Sequence, residues 1–497
     1  MLAAAWIAYW VVLAILGLYG LHRLILTATV WARTRRRHDP EPASGSPSQQ
    51  ESVPFVTIQL PLYNERYVAE RLITAVAALD WPRDRLAIQI LDDSTDDTTA
   101  ICQARAGFLA SQGFLVEHIR RADRSGFKAG ALQAGLASAH GEFIAIFDAD
   151  FVPPPGFLRD AMGCFADPAI GMVQVRWEHL NREASLLTRV QALLLDGHFA
   201  IEQTARHATG RFFNFNGTAG IWRRQAIVDA GGWHSDTLTE DLDLSYRALL
   251  AGWRFTYLCQ SAAPAELPMD MNAFKSQQFR WAKGSVQVAR KLLPEIWRAP
   301  LAARVKLEAI FHLTQNVPYL AVLALILLAV PALVARPSST TEMLALHLPA
   351  LGFAVVTLGA YCMTAQKTLG RSFWQALARL PALVAITVGI CVNQARAVIE
   401  GALGQTSPFL RTPKHGIVDC APSHEPARWP ARAWRALGGP GYRGVVDLTP
   451  VAEIALALYF VAFTVLAVLQ GTWAAAPFLG LFGAGFAYVG TTSALRR

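Results

Sequence analysis

The stretch "IAIFDADF", residues 144–151, is an apolar, strand-like run that closes on two carboxylates, Asp148 and Asp150, with one Ala between them. Two such charges repel each other, and removing them from water is costly unless a cation or hydrogen bonds compensate. A turn is one explanation, because Asp and the following Pro153-Pro154-Pro155 all favour loops. A divalent metal held at a strand's carboxyl end, where α/β folds bind ligands, is the other. The surrounding sequence has to choose.

Upstream, strand, loop and helix repeat. "FVTIQLP" (55–61) is β-rich and opens into "LYNERYVAERLITAVAAL" (62–79), where Val68, Leu72, Ile73 and Val76 recur with a helical period. "LAIQIL" (86–91) is the next strand and stops at Asp92-Asp93-Ser94. "FLVEHIR" (114–120) follows, then a helix over 128–140, then "EFIAIF" (142–147). This alternation predicts a parallel α/β sheet covered on both faces. Tyr63-Asn64-Glu65, Asp92-Asp93 and Asp148-Ala149-Asp150 all fall at strand carboxyl ends, where such a sheet binds its ligand. The absence of GxxxxGK[ST] argues against a P-loop, and the absence of GxGxxG after the first strand against a dinucleotide hydride carrier. Acidic strand ends without a phosphate-cradling glycine loop suit a diphosphate held through Mg²⁺ or Mn²⁺.

At 497 residues, 53% hydrophobic and only 16% charged, the chain is too apolar for an ordinary soluble enzyme. Leu2–Ile25, Val317–Val334, Met343–Met363, Ala452–Leu469 and Ala475–Val489 are each about long enough to cross a ~30 Å hydrocarbon core. The first lacks the basic n-region and cleavage site of a signal peptide. The cluster "RTRRRH" (33–38) follows it and places what comes next in the cytoplasm. Reading Phe373–Leu403 as an interfacial or partly inserted helix keeps every later basic cluster inside as well. That gives five spans, with six as the rival count. The expected layout is therefore a membrane helix at 1–30, a basic and Pro/Ser-rich linker at 31–52, a cytoplasmic domain at 53–285, and interfacial plus about four membrane helices over 286–497. The chain ends about 8 residues past the last span, so no regulatory domain is expected there. Six scattered cysteines without metal-ligand spacing read as reduced thiols. The net charge of +8 flanks membrane segments rather than forming a basic, aromatic-laced stripe, so the bilayer and not nucleic acid is the expected partner.

Two further motifs lie downstream. "TLTEDLDLSYRALLAG" (237–252) reads as a helix with Thr239 as N-cap and Gly252 beyond its end. Taken singly, Glu240 and Asp241 do no more than complement the helix dipole. "SQQFRWAKG" (276–284) sets Arg280 beside Trp281, a pair that alone reads as snorkelling surface residues. Together, however, DD, DAD, TED and QQFRW occur in order.

This ordered pattern strongly resembles the processive, membrane-embedded glycosyltransferases of family 2, over about residues 50–420. "FNGTAGIWRR" (215–224) and the Gln277-Gln278 doublet look most like the cellulose synthase-like A glucomannan synthases and their bacterial relatives. "FLRTPKHG" (409–416) matches that family's gating loop approximately, with Arg411 where the loop has Val; the loop would occupy 404–450. The resemblance implies an α/β GT-A (nucleotide-diphospho-sugar transferase) domain inserted between transmembrane α-helices. It implies a UDP- or GDP-hexose donor, Mg²⁺ or Mn²⁺, a growing glycan acceptor, and placement in the inner (cytoplasmic) membrane. Carried over by position, Asp92 or Asp93 would contact the base or ribose, with Asn64, Glu65, Lys128 and Gln277 also on the nucleotide sugar. For Lys128, an ordinary solvated lysine at a helix start is the competing reading. Asp148 and Asp150 would hold the metal, with Asp148 touching the donor. Asp241 would be the general base, with Glu240 beside it also in the catalytic set, and Arg280 would bind the nucleotide sugar and stabilise the leaving diphosphate. Trp281 and Gln278 would bind the acceptor sugar. Gln315, Asn316 and Tyr319 suit a channel lining or simply the wet end of a helix. The rival function is transfer of one sugar to a membrane lipid, as ceramide glucosyltransferases perform. A transporter or scaffold with an inactive transferase domain would predict lost carboxylates, and all are present.

Overall fold

The computed structural model describes residues 2–36, 53–335, 348–407, 412, 414, 416, 417, 448–471, 473 and 475–495. Arg411, Cys420, most of the 404–450 stretch and the linker beyond residue 36 lie outside these. Chain order begins with a helix, α1 (Leu2–Arg36), followed by β1 (Val56–Leu62), α2 (Ala69–Ala77), β2 (Leu86–Asp92), α3 (Thr98–Ser111) and β3 (Leu115–Ile119). Next come α4 (Phe127–Ser138), β4 (Phe143–Ile146), β5 (Ile170–His179), α5 (Leu186–Gly197), β6 (Gly220–Arg223), α6 (Glu240–Leu250) and β7 (Arg254–Ala265).

The seven strands form one sheet in the order β3-β2-β1-β4-β6-β5-β7. β1 to β4 pair in parallel, as the alternation predicts. The wholly parallel sheet does not hold further on: β6 lies antiparallel between β4 and β5, while β5 and β7 are parallel. Apolar periodicity records which face a strand buries and not the direction of its neighbours, so this reversal leaves no mark in the pattern. The helix expected from residue 62 begins only at Ala69, after a turn in which Asn64 has φ 55°.

Both faces are buried, and β4 shows how. Phe143, Ala145 and Phe147 join Ile58, Leu60, Leu72 and Val76 on one side. Ile144 and Ile146 join Leu132, Leu136 and Trp222 on the other. A strand covered on both faces must be apolar throughout, so its first charge appears where it leaves the core. That charge is Asp148.

Beyond the sheet, α7 (Met271–Arg298) leads into α8 (Ala303–Leu313), α9 (Pro318–Ala335) and α10 (Leu348–Thr368). The chain continues with α11 (Phe373–Gly389), α12 (Cys391–Ala402), α13 (Thr449–Leu469) and α14 (Ala476–Ala494). Among the described residues, two helical stretches, Ile7–Arg35 of α1 and α13, are long and apolar enough to cross a membrane. Two bent pairs also qualify if each is one broken span: α8 with the start of α9, at 54°, and α11 with α12, at 46°. The break at Ile390 divides the segment expected to be a single interfacial helix. α11 and α14 approach closely where Gly389 and Gly485 meet, since a Cβ on either would collide with backbone of the other helix.

Buried ion pairs fix α7 to these helices. Lys275 Nζ lies 2.7 Å from Glu453 Oε1 of α13, with the two side chains 5% and 0% exposed. Two turns later, Lys283 Nζ reaches Glu400 of α12 at 2.8 Å and also donates to Ser407. Breaking one partner of such a pair leaves an uncompensated buried charge, at a cost of about 3–5 kcal/mol. Glu453→Ala should therefore lower the thermal midpoint of the protein in lipid nanodiscs by several degrees. Lys275→Met with Glu453→Leu, which removes both charges, should recover most of that loss.

Candidate active site

The carboxyl ends of β1, β2 and β4 open into one cleft. Tyr63 and Glu65 come from beyond β1, Asp93 from beyond β2, and Asp148 and Asp150 from beyond β4. The start of α6 adds Glu240 and Asp241, and α7 adds Gln277, Arg280 and Trp281. Lys128, near the start of α4, completes the wall. Segments more than two hundred residues apart thus converge where the alternation placed the ligand.

Local structure explains the aim of several side chains. Asp241 accepts the Leu242 N–H at 2.8 Å, and its carbonyl accepts from Ser245 Oγ at 2.6 Å. Thr239 stands at the N-cap position as expected, but its hydroxyl makes no capping bond. Its side chain is instead packed on α7, where a Cβ at Gly284 would strike it. The start of α6 is therefore held by contact with the helix that carries Arg280. Gly217 has φ 81°, and a Cβ there would sit 3.1 Å from Asp241 Oδ2 and 3.4 Å from Lys128 Nζ. Glycine permits this backbone to press against the carboxylate.

The electrostatics follow from crowding acids out of water. Lys128 Nζ lies 2.5 Å from Asp148 Oδ1 and donates to the Gly217 carbonyl at 2.9 Å; Glu240 Oε1 is 3.9 Å away. Even so, burial and then Asp150 hold Asp148 above its ordinary pKa against the pull of Lys128. Burial, followed by the Glu240 charge, also raises Asp241 well above the usual carboxylate range, and burial raises Glu240. Burial brings Arg280 down to about 10, still fully charged at neutral pH. Lys414 Nζ donates to Asp150 Oδ2 at 2.7 Å and to the Glu266 carbonyl at 2.6 Å. Arg280 Nη2 donates to Thr412 Oγ1 at 2.8 Å. Residues of the expected gating stretch thus touch both ends of the candidate machinery.

Three sequence candidates do not line the cleft. Asp92 is buried behind it, accepting from the Ser94 N–H at 2.8 Å and contacting His118 Nε2 at 3.0 Å. Asn64 braces the adjoining loop, its Oδ1 accepting the Thr95 N–H at 2.8 Å. Gln278, next to Gln277 on α7, is not among the lining residues. Of the aspartate pair left open by sequence, Asp93 is the one on the wall, gripped from behind by Arg121 Nε at 2.9 Å. Sequence reading missed Trp177, His179 and Glu266, which reach the cleft from the ends of β5 and β7. The alternation of side chains along "VQVRWEH" (173–179), with Trp177 and His179 on one face, was the available signal. Asn316 of the supposed channel lining donates to Ser285 Oγ of α7 at 2.9 Å.

A mixed sheet bearing paired acids at its strand ends, closed by a helix with Arg280 and Trp281, has the GT-A form of a nucleotide-sugar transferase domain. Residues 54–284 match the family described as "Glycosyltransferase like family 2". Among curated relatives, glucomannan 4-beta-mannosyltransferase 2 of Arabidopsis thaliana is 43% identical over 281 residues, 55% of this chain and 53% of its own length. Glucomannan 4-beta-mannosyltransferase 1 of Cyamopsis tetragonoloba is 39% identical over 312 residues, 61% and 59% respectively. The chain thus spans somewhat over half the length of these relatives. Among solved structures, the mannosyltransferase PcManGT of Pyrobaculum calidifontis, in complex with GDP-Man and Mn²⁺, superposes with a TM-score of 0.51 at 22% identity. The match covers 71% of this chain and 96% of that one, and it shows the shared fold.

Because Lys128 lowers the pKa of both Asp148 and Asp241, removing its charge should raise both. In Lys128→Met, the two carboxyl groups should lose their protons at higher pH than in the unaltered protein. Carboxyl ¹³C shifts of selectively labelled aspartate, followed through a pH titration, would measure this.

Proposed function

We propose that this chain is an inverting, metal-dependent membrane glycosyltransferase that polymerises a β-linked polysaccharide of mannan or glucan type from a nucleotide-diphosphate hexose. The catalytic domain faces the cytoplasm, and the surrounding membrane helices carry the product outward. One observation carries the reading: Lys128, Asp148, Asp150, Asp241, Arg280 and Trp281 share a single cleft. The names of the curated relatives support 4-β-mannosyl transfer. Those names, together with the GDP-Man bound by the Pyrobaculum calidifontis structure, make GDP-mannose the first donor to try.

The chemistry is direct displacement. Asp241 takes the proton from the acceptor hydroxyl as that oxygen attacks the anomeric carbon. A buried carboxylate with a raised pKa is a stronger base than a solvated one, yet can still be ionised near neutral pH. The bond from the anomeric carbon to the diphosphate breaks on the opposite face, so an α-linked donor gives a β-linked product. Arg280 and Lys128 meet the charge that collects on the leaving diphosphate. Trp281 offers a flat apolar face to the acceptor ring. Asp148 and Asp150 fit a hard divalent cation, since both offer only carboxylate oxygens and Asp148 resists ionisation even beside Lys128. Mg²⁺ or Mn²⁺ bound there would neutralise diphosphate oxygens.

The test uses purified protein in lipid vesicles with Mn²⁺ or Mg²⁺, offered GDP-mannose, GDP-glucose, UDP-glucose and UDP-N-acetylglucosamine separately. Label from one donor should enter high-molecular-weight, glycosidase-sensitive material. Label confined to extractable lipid would replace the polymerase reading with single transfer. Asp241→Asn should lower kcat by about 10²-fold or more while donor affinity stays within about twofold. Asp150→Ala should abolish the Mn²⁺-dependent part of donor binding by calorimetry.

A further inference from the structure

The cleft also holds polar atoms that the proposed transfer does not use. Trp177 and His179, alternate residues of β5, both line it, as does Trp281. The Trp177 and Trp281 ring centroids are 6.5 Å apart at 57°. Trp177 Nε1 and both ring nitrogens of His179 are buried without a hydrogen-bond partner among the described residues. The His179 residue is 7% exposed. Burial, then Arg182, takes its imidazole down to about 4, so the ring is neutral, with one donor and one acceptor nitrogen. Buried polar groups are ordinarily satisfied, and leaving them unpaired costs their full desolvation.

The strand end is fixed in this orientation from its opposite face. Glu178 is gripped by Arg176 at 2.9 Å, Arg182 at 2.8 Å and also by Arg371, the last just beyond α10. Arg182 and Arg371 continue to the buried Asp196, at 2.6 and 2.9 Å. With Glu178 tied into this network, Trp177 and His179 are committed to the cleft side by strand alternation.

We propose that Trp177 and His179 form a second acceptor subsite, which binds the hydroxyls of the sugar preceding the one stacked on Trp281. The inference rests on the transfer reading above. An indole N–H with a neutral imidazole matches a sugar hydroxyl, which both donates and accepts. The cleft then recognises a chain of at least two sugars, and the preference for an oligosaccharide end resides in β5.

The experiment measures transfer from the established donor to mannose, β-1,4-mannobiose and β-1,4-mannotriose, using the full chain in nanodiscs. In the unaltered protein, KM should fall about tenfold or more from mannose to mannobiose. His179→Phe keeps a flat aromatic ring, somewhat larger than imidazole, and removes both nitrogens. It should raise KM for mannobiose and mannotriose about tenfold, with KM for mannose and donor Kd unchanged. An equal rise for all three acceptors, or no change for any, overturns the subsite. If His179→Phe does not fold, calorimetry on the unaltered protein decides: mannobiose binding at least tenfold tighter than mannose sustains the proposal, and equal binding overturns it. Absence of transfer from every donor would count against the function reading, while the binding comparison would still judge the subsite.

Discussion

The site depends on one constraint: carboxylates brought close together in a cleft that water only partly reaches. Asp148, Asp150, Glu240 and Asp241 come from two different strand-end or helix-start positions; Asp150 raises the cost of ionising Asp148, Asp148 that of Glu240, and Glu240 that of Asp241. The fold answers with cations from elsewhere in the chain. Lys128 stands between the two acidic groups, 2.5 Å from Asp148 and 3.9 Å from Glu240, and Lys414 caps Asp150 at 2.7 Å. In the proposed function, the same tension that needs compensation provides reactivity. An acid held above its ordinary pKa is a base near neutral pH, and an under-compensated pair is a place for a divalent ion.

Much of this was legible in sequence because it obeys local rules. A strand buried on both faces is apolar until it leaves the core, so "IAIF" followed by "DAD" marks both the strand and the end that opens into the cleft. The start of α6 announces itself by acids after Thr239, and Gly252 by its place after the last turn, where φ is 96°. The less legible features are those set by partners distant in sequence. β6 reverses direction because its neighbours are β4 and β5, which no periodicity within four residues encodes. Asp92 and Asp93 are adjacent and chemically identical. Only the fold turns one toward His118 and the other onto the cleft wall. Thr239 looks like a cap and stands in the capping position, yet contact with Gly284 claims its side chain. Asn64 looks like a ligand at a strand end, but its positive φ and its bond to the Thr95 N–H make it part of the loop.

The remaining question is how a cleft in an α/β domain is kept in step with helices that have their own solvent. α7 is the shared element. Its middle carries Gln277, Arg280 and Trp281 into the cleft, and its lysines 275 and 283 bracket those residues. Each lysine is buried against a glutamate from a later helix, Glu453 or Glu400. A buried ion pair contributes little net stability relative to an apolar substitute, because both partners are desolvated. It does constrain geometry, since a displacement that separates the charges leaves each unpaired. A continuous apolar seam would allow α7 to slide or rotate by small steps at small cost. Two charged contacts, two turns apart and on either side of Arg280 and Trp281, penalise both movements. Arg280 and Trp281, the proposed leaving-group cation and acceptor platform, are thereby referred to the frame of α12 and α13. For an enzyme whose proposed product leaves through the membrane region, the register between cleft and helices matters more than the stability gained at the seam, and paired charges suit that requirement.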